Sequence, residues 1–109
     1  MERTLLSPAE LDQARGELSP DWLVDPHELV RTVQFPTFLT AVAFIDELAP
    51  IAERLDHHPD LSLSWRTVTL RLSTHSAGGL TPYDVALARE LDPIIERLSR
   101  PGGEAAPTG

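Results

Sequence analysis

The chain has 109 residues, a formal charge of −8 and no cysteine. That length suits one domain with a single core, and the missing thiol excludes disulfides, thiolate nucleophiles, iron–sulfur clusters and cysteine zinc sites. The acidic balance argues against nucleic acid and anionic membranes as partners, because phosphate-bearing surfaces are bound by basic ones. The basic residues are scattered, so no local patch reverses that expectation. No apolar run nears the ~20 residues that span a bilayer. The stretch from Met1 to Pro8 lacks the basic start and apolar core of a signal peptide. A reducing cytoplasm is the expected location.

In chain order, Ser7-Pro8-Ala9-Glu10 reads as a capping box with proline at the first helical position. Leu11, Ala14 and Leu18 follow on one face, and Gly16 and Pro20 keep this helix short. Asp21 to Val24 and Leu29 to Phe35 predict a β-hairpin around Asp25-Pro26-His27, with Leu29, Arg31, Val33 and Phe35 alternating against Val30, Thr32 and Gln34. Phe38, Ala41, Val42, Ile45, Leu48, Ala49, Ala52 and Leu55 then recur at steps of three and four, which predicts a long helix, kinked but continuous at Pro50.

After His57-His58-Pro59 the period changes to two. Leu61, Leu63 and Trp65 predict a short strand, and Val68, Leu70 and Leu72 a longer one. Ser73 and His75 leave this strand on its polar side, and Gly78-Gly79 is a turn. Thr81-Pro82-Tyr83-Asp84 repeats the capping pattern and opens a last helix through Val85, Ala88, Leu91, Ile95 and Leu98, with Pro93 a second possible kink. The order α-β-β-α-β-β-α predicts an α+β fold: one antiparallel four-stranded sheet with helices packed on one face. Residues 1–100 form the expected single domain, and the Pro-, Gly- and Ala-rich tail 101–109 is expected to be disordered.

Three of the four histidines lie at the two ends of the second hairpin: His57 and His58 where the long helix exits, His75 where the second strand ends. A hairpin returns its chain near its start, so the three imidazoles converge in this reading, with Glu53, Asp56 and Asp84 as orienting carboxylates. Imidazole titrates near neutral pH, about 6.5 when unperturbed, so such a cleft suits proton transfer. The plain alternative is a set of solvated helix-end and turn histidines. Imidazoles with carboxylates also suit zinc or iron, but no His-x-x-x-His or two-histidine-one-carboxylate spacing is present, so no metal is expected. Ser73 and Ser76 flank His75, yet no Gly-x-Ser-x-Gly elbow exists for a serine hydrolase. Trp22 and Trp65 are read as sheet packing, and His27 as a turn residue without a role.

The segments Glu53-Arg54-Leu55-Asp56-His57-His58-Pro59-Asp60, Thr69-Leu70-Arg71-Leu72-Ser73-Thr74-His75, Gly79-Leu80-Thr81 and Asp84 together resemble the pterin-4a-carbinolamine dehydratases. Weaker agreement runs upstream through Trp22, Phe35 and Phe38, so the resemblance covers nearly all but the C-terminal tail. It implies dehydration of a 4a-hydroxytetrahydropterin to the quinonoid dihydropterin, which recycles the pterin used by aromatic amino acid hydroxylases. In that reading His57 and His75 are acid and base on opposite sides of the ring, and His58 binds and polarises it. Glu53 and Asp84 orient the imidazoles, while Asp56, Ser73, Thr74 and Ser76 line the pocket. The pterin is the substrate and no cofactor is implied; the family also implies a homodimer or homotetramer. Leu61 stands where many relatives carry an aromatic residue, and Ser62 and Ser64 replace bulkier or charged ones. The alternative is a non-catalytic binding or assembly module on the same fold, since animal members of the family also serve as a dimerisation cofactor for a homeodomain transcription factor.

Overall fold

A computed structural model describes residues 1–101 of the chain. The capping box at Ser7 forms as the sequence predicts: its hydroxyl accepts the Glu10 N–H at 3.2 Å, and the Glu10 carboxylate accepts the Ser7 N–H at 2.9 Å. It opens α1 (Pro8–Glu17), which buries Leu11 and Ala14. Strand β1 is only Leu23–Val24, shorter than its expected span, and pairs with β2 (Leu29–Gln34). Helix α2 (Phe38–Leu55) follows, then β3 (Asp60–Ser64), β4 (Thr67–Leu72), the single-turn 3-10 helix η1 (His75–Ala77) and α3 (Pro82–Ser99). The sheet order is β1-β2-β4-β3, antiparallel throughout. Two hairpins are thus joined through β2 and β4, each a central strand. The expected tail lies almost wholly in 102–109, outside the described residues.

Period-two alternation decides which face of the sheet is covered. Leu29 and Val33 of β2 and Val68, Leu70 and Leu72 of β4 point to one side and are buried, while Thr32, Gln34 and Arg71 stay exposed on the other. Onto the apolar side pack Ala41, Phe44, Leu48 and Ala52 of α2 with Leu87, Ala88, Leu91, Ile95 and Leu98 of α3. The rings of Phe35 and Phe44 stack with centroids 5.2 Å apart, and truncating either to alanine would cost about 3–5 kcal/mol. The stripe on α2 is therefore rotated from the one its spacing suggested. Thr40 and Phe44 are buried, whereas Phe38 and Ala49 are exposed.

Both internal prolines are tolerated because they face water. Pro50 and Pro93 are exposed within helices that run on uninterrupted. Each removes the bond to the carbonyl four residues earlier, but Asp46 and Arg89 are exposed too, so solvent can satisfy what is lost. Trp22 packs in the core at 4% exposure, its indole N–H donating to Asp92 at 2.6 Å. The same carboxylate takes the guanidinium of buried Arg31 at 2.8 Å. Trp65 corrects the packing expectation: it occupies the β3–β4 turn at φ 54° and is 71% exposed. A two-residue hairpin turn needs positive φ, and here a tryptophan supplies it.

Candidate active site

Helix α2 ends in a left-handed turn. Asp56 adopts φ 49° and ψ 48°, its N–H bonding to Ala52 and Glu53 carbonyls, and the His57 N–H returns to the Ala52 carbonyl at 3.0 Å. This closure folds the chain back over the last helical turn, and Pro59 prevents the helix from resuming. One consequence separates the paired histidines. His57 turns inward, with a side chain 7% exposed, and His58 turns outward at 56%.

The inward imidazole meets α3. Pro82 begins that helix, and Asp84 stands at its third position, reaching back to accept the Thr81 N–H at 3.0 Å through Oδ2. The same oxygen accepts the Thr74 hydroxyl at 2.8 Å, and the Thr81 hydroxyl lies 2.8 Å from that of Thr74. Since Thr74 has one proton and gives it to Asp84, Thr81 donates to Thr74. The other carboxylate oxygen, Oδ1, lies 2.5 Å from His57 Nε2. With two donors already on its partner oxygen, Asp84 acts here as an acceptor, so Nε2 carries a proton. In the neutral imidazole this leaves the lone pair on Nδ1. Among the described residues Nδ1 has no hydrogen-bond partner.

The other two histidines have carboxylates of their own. His58 Nε2 pairs with Glu53, one turn back on α2. His75 Nε2 lies 3.5 Å from Asp60 at the start of β3, in an exposed pair. Every motif histidine is thus matched to one acid, and among the described residues no three such side chains are grouped to hold a metal ion. Asp60 was not among the carboxylates singled out from sequence. It stands inside the His-His-Pro-Asp motif, and the β3–β4 register, which sets Asp60 opposite Arg71, carries it to the strand end that His75 leaves. From the Asp60 carboxylate an open groove of about 180 Å³ runs over the uncovered sheet face, lined also by Leu61, Ser62, Thr69 and Arg71.

The segment bearing His75 is fastened from two sides. Thr74 and Gly79 pair as an isolated bridge around η1, with Gly78 at φ 80° closing the turn. From the β1–β2 turn the His27 carbonyl accepts the Ser73 hydroxyl at 2.8 Å, and the Pro26 carbonyl accepts the Leu80 N–H at 3.0 Å. Gly79 makes that approach possible, since a Cβ there would sit 2.6 Å from the Pro26 oxygen. Ser73 and Thr74 thus brace the loop, Thr74 fully inside it. Ser76 is exposed on η1, and Asp56 is exposed at the α2 exit. His27, assigned no role from sequence, contributes its backbone carbonyl to that brace.

The family described as Pterin 4 alpha carbinolamine dehydratase matches residues 4–94. A Nocardia farcinica protein, provisionally named a pterin-4-alpha-carbinolamine dehydratase, is 49% identical over 86% of this chain and 98% of its own. A protein of the same provisional name from Roseiflexus castenholzii is 46% identical over 84% and 97%. Among solved structures, a transcriptional coactivator/pterin dehydratase from Brucella melitensis superposes with a TM-score of 0.78 at 34% identity, covering 84% of this chain and 99% of that one. A pterin dehydratase-like protein, a RuBisCO assembly factor of the α-carboxysome, shares the fold with a TM-score of 0.57 at 23% identity, over 68% and 86%.

Proposed function

Because the chain belongs to the pterin 4 alpha carbinolamine dehydratase family, we propose that it dehydrates a 4a-hydroxytetrahydropterin to the quinonoid dihydropterin. The observation that carries this reading is the buried His57–Asp84 pair, with Nε2 and Oδ1 2.5 Å apart. Loss of water requires a proton delivered to the departing hydroxyl, cleavage of the C4a–O bond, and a proton taken from the neighbouring ring nitrogen. No net proton is consumed. An acid and a base held in one site contribute about 10²–10⁴-fold to such a step.

In this proposal His57 and His75 are the acid and base, and His58 binds and polarises the pterin. Asp84 and Glu53 orient their histidines, and Asp60 joins them by orienting His75. Asp56, Ser73, Thr74 and Ser76 shape the pocket, with Ser73 and Thr74 acting through the hydrogen bonds that brace the His75 loop. The pterin is the substrate, and the chemistry asks for no metal or further cofactor. A homodimer or homotetramer is proposed, supported by edge strands β1 and β3, whose Leu23 and Leu61 are 72% and 37% exposed. A cytoplasmic setting suits a chain without cysteine. Among the described residues no helix is long and apolar enough to cross a membrane.

The direct test follows the decay of chemically generated 4a-hydroxytetrahydropterin by absorbance with and without the protein. Catalysed decay supports the reading, and decay at the spontaneous rate refutes it. A second reading, a non-catalytic binding or assembly module, is favoured by one surface feature. Phe38, Leu39 and Trp65 are 50%, 64% and 71% exposed, large apolar side chains of the kind that partner surfaces use. The same assay separates the two.

A further inference from the structure

We propose that Arg3 is a positioning residue for the His57–His58 turn, acting through Asp56 and held in place by Tyr83. Four contacts meet at this point. Arg3 Nη2 donates to the Asp56 carbonyl at 2.5 Å and lies 3.9 Å from the Asp56 carboxylate. Its guanidinium stands over the Tyr83 ring at 4.0 Å from the centroid. His57 also adjoins that ring, with centroids 5.7 Å apart. The Tyr83 hydroxyl donates to the Met1 carbonyl at 3.1 Å, and the Leu6 N–H donates to the Leu80 carbonyl at 2.9 Å. The segment from Met1 to Leu6 is thereby fastened at both ends, and Arg3 reaches from between them.

The turn has a physical need for such support. Asp56 holds a left-handed conformation that glycine or asparagine adopts more readily. Its carboxylate also sits at the negative end of the α2 dipole, where an anion is disfavoured and a cation favoured. The Asp56 carbonyl lies beyond the reach of intrahelical donors. A guanidinium answers all of these together, supplying a donor to the carbonyl and a positive charge beside both the carboxylate and the helix end. Tyr83 directly precedes Asp84, so the first turn of α3 offers Asp84 to the edge of the His57 ring and Tyr83 to its side. Arg3 therefore fixes the backbone from which His57 and His58 diverge, while Tyr83 fixes Arg3.

The kinetic arm of the test rests on the dehydratase reading; the spectroscopic arm does not. Long-range ¹H–¹⁵N spectra of the imidazoles are compared for the wild type, Arg3→Met, Arg3→Lys and Tyr83→Phe, with circular dichroism confirming the fold. Arg3→Met is expected to move the His57 and His58 signals, leave those of His75 in place, and lower kcat by roughly tenfold or more. Arg3→Lys, which keeps a donor and a charge, restores most of both. Tyr83→Phe keeps the ring under the guanidinium but loses the bond to the Met1 carbonyl, and is expected to move the same signals by less than Arg3→Met. Unmoved His57 and His58 signals in Arg3→Met, or wild-type kcat in that variant, overturn the proposal. If the wild type itself shows no dehydratase turnover, the functional reading fails alone and the imidazole signals decide this one.

Discussion

His57 Nε2 stands 2.5 Å from Asp84 Oδ1, in a pair whose side chains are 7% and 0% exposed. Replacing Asp84 by asparagine is nearly isosteric, yet the geometry makes it consequential. The Thr81 N–H and the Thr74 hydroxyl both point at Oδ2, so the amide oxygen must take that place and the amide NH₂ must face His57. Nε2 then becomes the acceptor and the proton moves to Nδ1, which inverts the protonation of the nitrogen left open in the wild type. Asp84→Asn should lower turnover by about 10² or more and stability by about 1–3 kcal/mol. Imidazole ¹⁵N shifts showing an unchanged His57 tautomer would remove Asp84 from this role.

His75 offers the cleaner kinetic test, because its side chain is 82% exposed and anchors no core. His75→Ala should therefore leave the circular dichroism spectrum and melting temperature near wild type, while turnover falls by about 10²–10⁴. Asp60→Asn should cost much less, since an amide oxygen can take the place of the carboxylate oxygen 3.5 Å from the ring in this exposed pair. Equal losses in the two variants would make Asp60 more than an orienting group. Undiminished turnover in His75→Ala would take that histidine out of the mechanism.

The element order and the single antiparallel four-stranded sheet were legible because period two and period three-to-four are read from local sequence; the strand order β1-β2-β4-β3 was not. What escaped depended on contacts between distant segments. Steps of three and four along α2 admit neighbouring stripes, and the stacking of Phe44 on Phe35, just past β2, goes with the one that buries Thr40 and exposes Phe38. Trp65 has the composition of a strand residue, while the tight β3–β4 connection forces it into a turn at φ 54°. The histidines and their acids Glu53 and Asp84 were visible as a motif. The opposite facing of His57 and His58 was not, because it follows from a left-handed Asp56 where no glycine signals one. Asp60 and Arg3 needed the register of β3 and the path of the first six residues.

Gly79 is expected to be intolerant for a reason distinct from backbone conformation. A methyl group there would stand 2.6 Å from the Pro26 oxygen and 3.1 Å from a Leu5 methyl. The β1–β2 turn would have to withdraw, loosening the Ser73 and Leu80 bonds that brace the His75 loop. Gly79→Ala should destabilise by about 1–3 kcal/mol, in the range of overpacking, and reduce turnover as well. Gly16 is the control: it lies in α1 with no atom within 4 Å of a built Cβ. Gly16→Ala should raise stability by about 0.5–1 kcal/mol. Denaturant midpoints moving in the same direction for both variants would contradict the close-approach argument.

The same β1–β2 turn sets an acid limit. Asp25 Oδ1 accepts the His27 N–H at 2.7 Å and the Glu28 N–H at 3.0 Å. These bonds, that from His27 foremost, hold the Asp25 carboxyl below the ordinary aspartate range. Glu10 and Glu17 are lowered too, by the Ser7 N–H and by Arg89 respectively. A carboxyl with a depressed folded-state pKa binds its proton more readily when unfolded. Its contribution is complete above the unfolded value, about 3.9 for aspartate, and is lost as the pH falls through the folded one. Asp25→Asn keeps an oxygen that can accept both N–H groups and loses only the titration. At pH 7 it should therefore be less stable than the wild type, by the contribution of the ionised carboxylate, and the two should converge as the pH falls. Below about pH 4 its stability should fall less steeply, and amide exchange at Leu80, bonded to the Pro26 carbonyl of this turn, should quicken less with acid. Identical pH slopes for the two proteins would show that the Asp25 turn does not set the acid limit.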